Sequence, residues 1–341
     1  MVENEISSEI GGKYMTLVEM CLLQIYFIDV LGGAATLIIT PQGESILVDS
    51  GWYTEDARDA KRILAAHPGL KQIDHYITTH WHCDHYGAIG HLSEMIHVKQ
   101  FYDRGIPKSF PEDEKNFPFL IERYRKASSG SSRELRPGDL IVLKQSPGKP
   151  KVELQCVAVN ARVIPSLAYD CTNDFCKTNQ PKPKDESDNA KSIALRLSYG
   201  DFQFFLGGDI TWNVEYDLVC PDNRIGEVDV YMVDHHGFDV SNNPVFLKSI
   251  NPTVAIFCNG PQKGCSPQVV KDLRALPGIQ AIYQLHRNVD TSEADNTSME
   301  YVANPDPKQP GKYIKVCVPE DTKSFAVTIG EDGTPKEYPC K

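Results

Sequence analysis

The stretch Thr78-Thr-His-Trp-His-Cys-Asp-His85 places His80, His82, Asp84 and His85 within six residues. Imidazole nitrogen and carboxylate oxygen together suit borderline divalent cations such as Zn2+, whereas Mg2+ and Ca2+ prefer oxygen alone. A cation held this way acidifies a water and polarises a carbonyl or phosphoryl oxygen, which is hydrolytic chemistry. A single histidine is ordinarily a surface or core residue; four donors in H-x-H-x-D-H order are not explained that way. The same donor types recur at the ends of later apolar runs. Gly207-Gly-Asp209 ends one, where glycines let the backbone approach a cation while the Asp209 carboxylate reaches in. Asp234-His-His-Gly237 ends another. Neighbours at a strand end point opposite ways, so His236 is expected to be a ligand and His235 a hydrogen-bond donor or general acid. His286 ends a further run and is the last candidate ligand. Tyr86 is a second candidate proton donor, and Asp84 is expected to orient the attacking water as well as to bind metal. Cys83 has no task in such a mechanism and is read as packing.

These residues need strands to carry them. Residues 73–79 read as a buried strand, which would bring His80 and His82 to one face. Before it, 23–30, 35–40 and 45–49 read as strands separated by Gly32-Gly33 and the Pro41-Gln-Gly43 turn. Helical spacing over 55–66 leads into the metal strand, and a helix opens after His85 and runs to about residue 95. His91 and His97 are read as ordinary helix and strand residues. Residues 104–190 are rich in proline, serine and short charge runs, with one helix (114–126) and strands near 139–143 and 152–159. Alternation returns over 192–199 and 202–206. It is followed by a helix (212–219), strands at 228–233, 253–258 and 279–285, helices at 244–250 and 266–276, and a closing hairpin (312–318, 324–329).

The H-x-H-x-D-H element resembles the signature of the metallo-β-lactamase-fold hydrolases. Asp234-His-His-Gly237 followed by Asp239-Val-Ser241 resembles the His-His-Gly-Ser-x-x-Ser element of one branch, the hydrolases akin to the extracellular domain of DNA-uptake competence proteins, with Phe238 in place of the first serine. Asp188-Asn-Ala-Lys-Ser192 resembles that branch's Asn-x-x-Ser element. The resemblance covers the chain from about residue 24 onward, and its motif is specific for the superfamily but nearly silent about substrate. It implies an α/β (α+β) fold, the four-layer αβ/βα sandwich of two mixed sheets flanked by helices. It implies two divalent metal ions, Zn2+ with Mn2+ or Fe2+ as alternatives, bridged by Asp209, and a supporting role for Asp49 in Asp49-Ser-Gly51. The family's usual third histidine lies between the first motif and the bridging aspartate, yet among the ten histidines none falls between His97 and Asp209. The expected allocation is therefore His80, His82 and His236 for one ion, Asp84, His85 and His286 for the other, and Asp209 between them. The expected reaction is hydrolysis of a small ester, lactone or related acyl compound, which suits the acidic surface; the alternatives are a phosphodiesterase, which the His-His-Gly element and the competence resemblance favour, and a non-catalytic metal-binding scaffold.

A chain of 341 residues that is 41% apolar can bury a large core. Residues 21–341 are expected to form one domain with a loop-rich insertion at 104–190, after a polar extension over 1–20. The net charge of −11 argues against a nucleic-acid surface and favours a small-molecule substrate. No run of eighteen apolar residues is present, so no membrane span is expected. Ten cysteines are scattered through the chain; one close pair, Cys171 and Cys176, is a disulfide in an oxidising compartment or two thiols in a reducing one. The expected location is the cytoplasm, or outside it if a signal peptide has been removed.

Overall fold

A computed structural model describes residues 8–10, 13–15, 21–166 and 172–341. The extension expected over 1–20 falls outside the described residues apart from a short backbone hairpin, β1 (Ser8–Ile10) with β2 (Lys13–Met15). The first half then runs β3 (Cys21–Phe27), β4 (Thr36–Ile39), β5 (Ser45–Val48), α1 (Arg58–Ala66), β6 (Ile73–Ile77), α2 (Cys83–Tyr86), α3 (Ile89–Met95) and β7 (Val98–Asp103). The middle contributes α4 (Phe117–Ala127), β8 (Arg133–Glu134), β9 (Leu140–Ile141), β10 (Val152–Val159) and β11 (Arg162–Val163). The second half runs β12 (Ala194–Tyr199), β13 (Phe202–Leu206), α5 (Trp212–Val219), β14 (Val230–Met232), α6 (Pro244–Ile250), β15 (Val254–Phe257), α7 (Pro267–Arg274) and β16 (Ala281–His286). It closes with β17 (Val302–Asn304), β18 (Ile314–Pro319), β19 (Ser324–Ile329) and β20 (Lys336–Pro339).

Two mixed sheets result. One has the order β20-β19-β18-β3-β4-β5-β6-β7-β8, and the other β11-β10-β12-β13-β14-β15-β16-β17 with β9 added to β10. Each is antiparallel on one side and parallel on the other; the switch falls after β5 in the first sheet and after β13 in the second. Because successive strand residues face opposite ways, each sheet divides its apolar side chains between two cores. Ile25 and Phe27 join Leu195, Leu197, Phe204 and Met232 between the sheets. Tyr26, Leu37, Leu47 and Tyr76 turn outward onto α1, α3 and α4, and Phe205, Tyr231 and Ala255 turn onto α5, α6 and α7. The layers are helix, sheet, sheet, helix, as the sandwich expectation required. Most predicted elements lie within a few residues of the observed ones. Within 104–190, β10 pairs with β12 over Val152–Ala158.

Cysteine pairing differs from the sequence expectation. Cys171 lies outside the described residues, and Cys176 is bonded to Cys220 at the end of α5. A second disulfide, Cys21–Cys317, joins the neighbouring strands β3 and β18 across 296 positions of sequence. No helix among the described residues is long and apolar enough to cross a membrane.

Candidate metal centre

The parallel strands β5, β6, β13 and β14 all end at one edge of the sandwich, where open α/β sheets place ligand sites. β6 stops at Ile77, so His80 and His82 sit in a loop rather than on a strand. The alternation argument for their shared direction therefore fails. Their placement comes instead from Asp49, which follows β5 with φ +60°. Its carboxylate accepts from the Thr79 backbone N–H at 2.8 Å and the Thr79 hydroxyl at 2.7 Å, and lies 2.7 Å from His85 Nδ1. One buried aspartate thus ties down both ends of the motif, the support its resemblance implied. Gly33 closes the turn from outside: a Cβ there would stand 2.3 Å from the Asp84 carbonyl oxygen.

The second half supplies the opposite wall. The glycines before Asp209 serve a different purpose from the one expected. A Cβ on Gly207 would meet the Asp234 carboxylate at 2.2 Å, and Gly208 turns at φ +59° against Thr79. Gly208 lets the two halves close on one another, and Gly207 leaves room for the Asp234 carboxylate. His235 and His236 are not splayed as strand neighbours would be, because both adopt left-handed backbone (φ 53°) in a short helical turn. Both rings face Asp209.

The donor atoms converge. Asp209 Oδ2 lies 3.8 Å from His80 Nε2, 3.3 Å from His85 Nε2 and 3.5 Å from His236 Nε2. His80, His82 and Asp209 form one group, and Asp84, His85 and His236 a second; within each group the donor atoms lie within 4.8 Å of one another. His236 thus stands with Asp84 and His85, not with His80 and His82 as allocated from sequence. His286 is elsewhere: its Nε2 lies 2.6 Å from Asp29 Oδ1, in a buried pair that Arg62 and the Gly311 N–H also join. Tyr86 is turned into the helix-side core against Trp81. Neither belongs to the cluster.

Each histidine has its other nitrogen committed. The Thr79 hydroxyl donates to Asp49, so it must accept from His80 Nδ1, 3.1 Å away. His82 Nε2 lies 3.0 Å from Glu112, His85 Nδ1 faces Asp49, and His236 Nδ1 is 2.9 Å from the Cys258 carbonyl. With protons on those sides, lone pairs are left on His80 Nε2 and His82 Nδ1, 3.0 Å apart, while His85 Nε2 and His236 Nε2 stand 3.3 Å apart. Facing lone pairs repel unless a cation lies between them. Partners of this kind set tautomer and ring orientation in metal sites, so the residues fit a pair of divalent ions.

Electrostatics point the same way. Burial favours neutral rings and pushes His80 well below the ordinary range. It works against ionisation of Asp84 and Asp209 too, yet both are held well below the carboxylate range, chiefly by the His85 charge. Against the same burial, the Asp209, Asp84 and Asp49 carboxylates raise His85. Lys263 adds positive charge at the same carboxylate, its ammonium lying on Asp84 Oδ2.

His235 sits at the rim. Its Nε2 is 3.7 Å from Asp209 Oδ2 and 3.3 Å from the Asn189 amide, and its Nδ1 is 3.2 Å from Ser241 Oγ. Burial brings its pKa down to about 4. Ser192 Oγ accepts from the Asp209 N–H at 3.2 Å, so Asn189, Ser192 and Ser241 of the resemblance elements all reach the cluster. Sequence reasoning missed Glu112, Lys263 and Glu215. Glu215, buried on α5, accepts from the backbone N–H groups of Asn242 and Asn243 and braces the loop behind His235.

Residues 28–156 match the Metallo-beta-lactamase superfamily model. Over 195 residues, 56% of this chain, the sequence is 26% identical to ComE operon protein 3 of Bacillus subtilis, and the match spans 20% of that protein. Among solved structures, the chain is similar to one described as a metal-dependent hydrolase from Parabacteroides distasonis (14% identity, 76% of this chain and 92% of that one, TM-score 0.40). It is also similar to CmlA, a diiron β-hydroxylase from Streptomyces venezuelae (14% identity, 75% and 52%, TM-score 0.38).

Proposed function

We propose that this chain, a metallo-β-lactamase-fold protein, is a metal-dependent hydrolase that cleaves a small ester, lactone or related acyl compound. The observation that carries the reading is Asp209 Oδ2, placed within 3.8 Å of donor nitrogens from both groups. His80, His82 and Asp209 would hold one ion and Asp84, His85 and His236 the other. The nitrogen-rich donor set suits Zn2+, with Mn2+ or Fe2+ also compatible. Two such ions would supply an acidified water and neutralise charge developing on the substrate oxygens.

The protein's own residues do the rest. Asp49 and Glu112 keep the His85 and His82 rings aimed. Asp84 orients the water. His235, neutral near pH 7, presents Nε2 to the cleft beside Asn189, where it would take the proton given up by the attacking water and hand it to the leaving group. That is a base-first role rather than the resting acid expected from sequence. A second reading, phosphodiester hydrolysis, is favoured by the His235-His-Gly237 element and its resemblance to the competence-protein branch. Counted against its nuclease form is the net charge of −11.

The test is metal content together with hydrolysis of p-nitrophenyl acetate, a lactone, a β-lactam and bis-p-nitrophenyl phosphate, for the wild type and Asp209→Ala. Acyl turnover lost in the variant is the expected result. Phosphodiester turnover alone selects the second reading, and a protein that takes up no metal removes both.

A further inference from the structure

The second donor group already holds a cation of its own. Lys263 Nζ lies on Asp84 Oδ2, the oxygen that also stands 3.2 Å from His236 Nε2 and 3.5 Å from His85 Nε2. The lysine is not a wandering surface side chain. Its loop follows β15 and is pinned to the site: the Lys263 carbonyl accepts from Gly260 N–H, and Cys265 N–H donates to the His236 carbonyl. Gly264 leaves no room for slack, since a Cβ there would stand 2.2 Å from that same carbonyl oxygen. The ammonium also lies 5.1 Å from the centre of the Trp52 ring, and the side chain is 32% exposed. The first group, His80, His82 and Asp209, has no such lysine among the described residues.

We propose that Lys263 is a resident counter-cation of the Asp84–His85–His236 site, so that the two sites load in order, the His80–His82–Asp209 site first and the second only when Lys263 gives way. The inference rests on the metal-site reading above and deepens it. A divalent ion taking Asp84 Oδ2 displaces the ammonium, which keeps its protons and retreats over Trp52 toward solvent. The second ion therefore pays for breaking an ion pair and for standing near a displaced positive charge. The first pays for neither. Removing one positive charge about 5 Å from a divalent ion strengthens its binding roughly ten- to a hundredfold, even with near-aqueous screening.

The experiment is a Zn2+ titration by calorimetry of the metal-free wild type, Lys263→Met and Lys263→Arg, repeated with Co2+ so that its absorption spectrum counts tetrahedral sites. The wild type should bind two equivalents with separated affinities. Lys263→Met should tighten the second by at least about tenfold and leave the first unchanged, while Lys263→Arg keeps the separation. Thermal melts of the metal-free proteins establish that the variants are folded. Equal second-site affinity in wild type and Lys263→Met overturns the inference, as does an equal shift of both equivalents, which would mean a general field effect. Binding of no Zn2+ by any of the three overturns the metal-site reading itself, and this inference with it.

Discussion

At the scale of single residues, the centre depends on second partners as much as on ligands. Asp49 touches no candidate ion, yet it fixes Thr79 and His85 and, through Thr79, His80. Asp49→Ala should weaken Zn2+ binding by about 10- to 100-fold, read by competition with a chromophoric chelator, while the ligand set stays intact. Unchanged affinity would show that the loop holds the rings without it. Sequence alone named His80, His82, Asp84 and His85 from their close spacing, and Asp209 and His236 from their places at the ends of apolar runs. It grouped His236 with His80 and His82 to fill the place of the family's third histidine, whereas the fold sets it beside Asp84 and His85. It placed His286 in the site because a strand end is the right kind of address; only the fold reveals Asp29 as its partner. Lys263 left no trace at all. Its partner, Asp84, is 179 positions away, and one lysine in a loop carries no pattern.

At the scale of elements, helices and strands were legible wherever apolar periodicity was strong. α5 and β13 match their expected bounds, and β10 falls on 152–159 as read. The short pieces β8, β11 and β17 escaped notice, being two or three residues long and held by pairing rather than by pattern. Cysteine partners were hidden for the same reason. The Cys176–Cys220 bond spans 44 positions and fastens the segment before residue 180 to the end of α5. Cys220→Ser should cost about 2–4 kcal/mol of stability, read as a lower urea midpoint, and a reducing agent should lower the wild type further than that, since it opens Cys21–Cys317 as well. No difference between oxidised and reduced wild type would mean that this bond restrains nothing in the unfolded chain.

At the scale of the whole molecule, a buried carboxylate outside the centre makes stability depend on pH. Away from the centre, Asp229 is buried at the start of β14, where it accepts from Gln203 N–H at 2.7 Å and Lys341 N–H at 2.9 Å. Burial pushes its pKa from 3.8 up to about 6. The folded protein therefore holds a proton there that the unfolded chain has released. This contribution is complete below about pH 4 and is lost as pH rises through about 6, by at most about 3 kcal/mol for a shift of roughly two units. Denaturant melts of the chelator-treated wild type and Asp229→Asn at pH 4.5 and 7.5 should show the variant losing less stability over that interval. Parallel losses would assign the slope to other carboxylates.

The pairing of β3 with β18 through Cys21 and Cys317 turns most of the chain into a covalent ring. Lys184 is exposed and lies inside that ring, and inside the smaller one closed by Cys176 and Cys220. A tryptic nick after Lys184 would thus sever the backbone without releasing a fragment. On a non-reducing gel the nicked protein should migrate as one species, and only after reduction should it part into two, each carrying one wall of the metal centre.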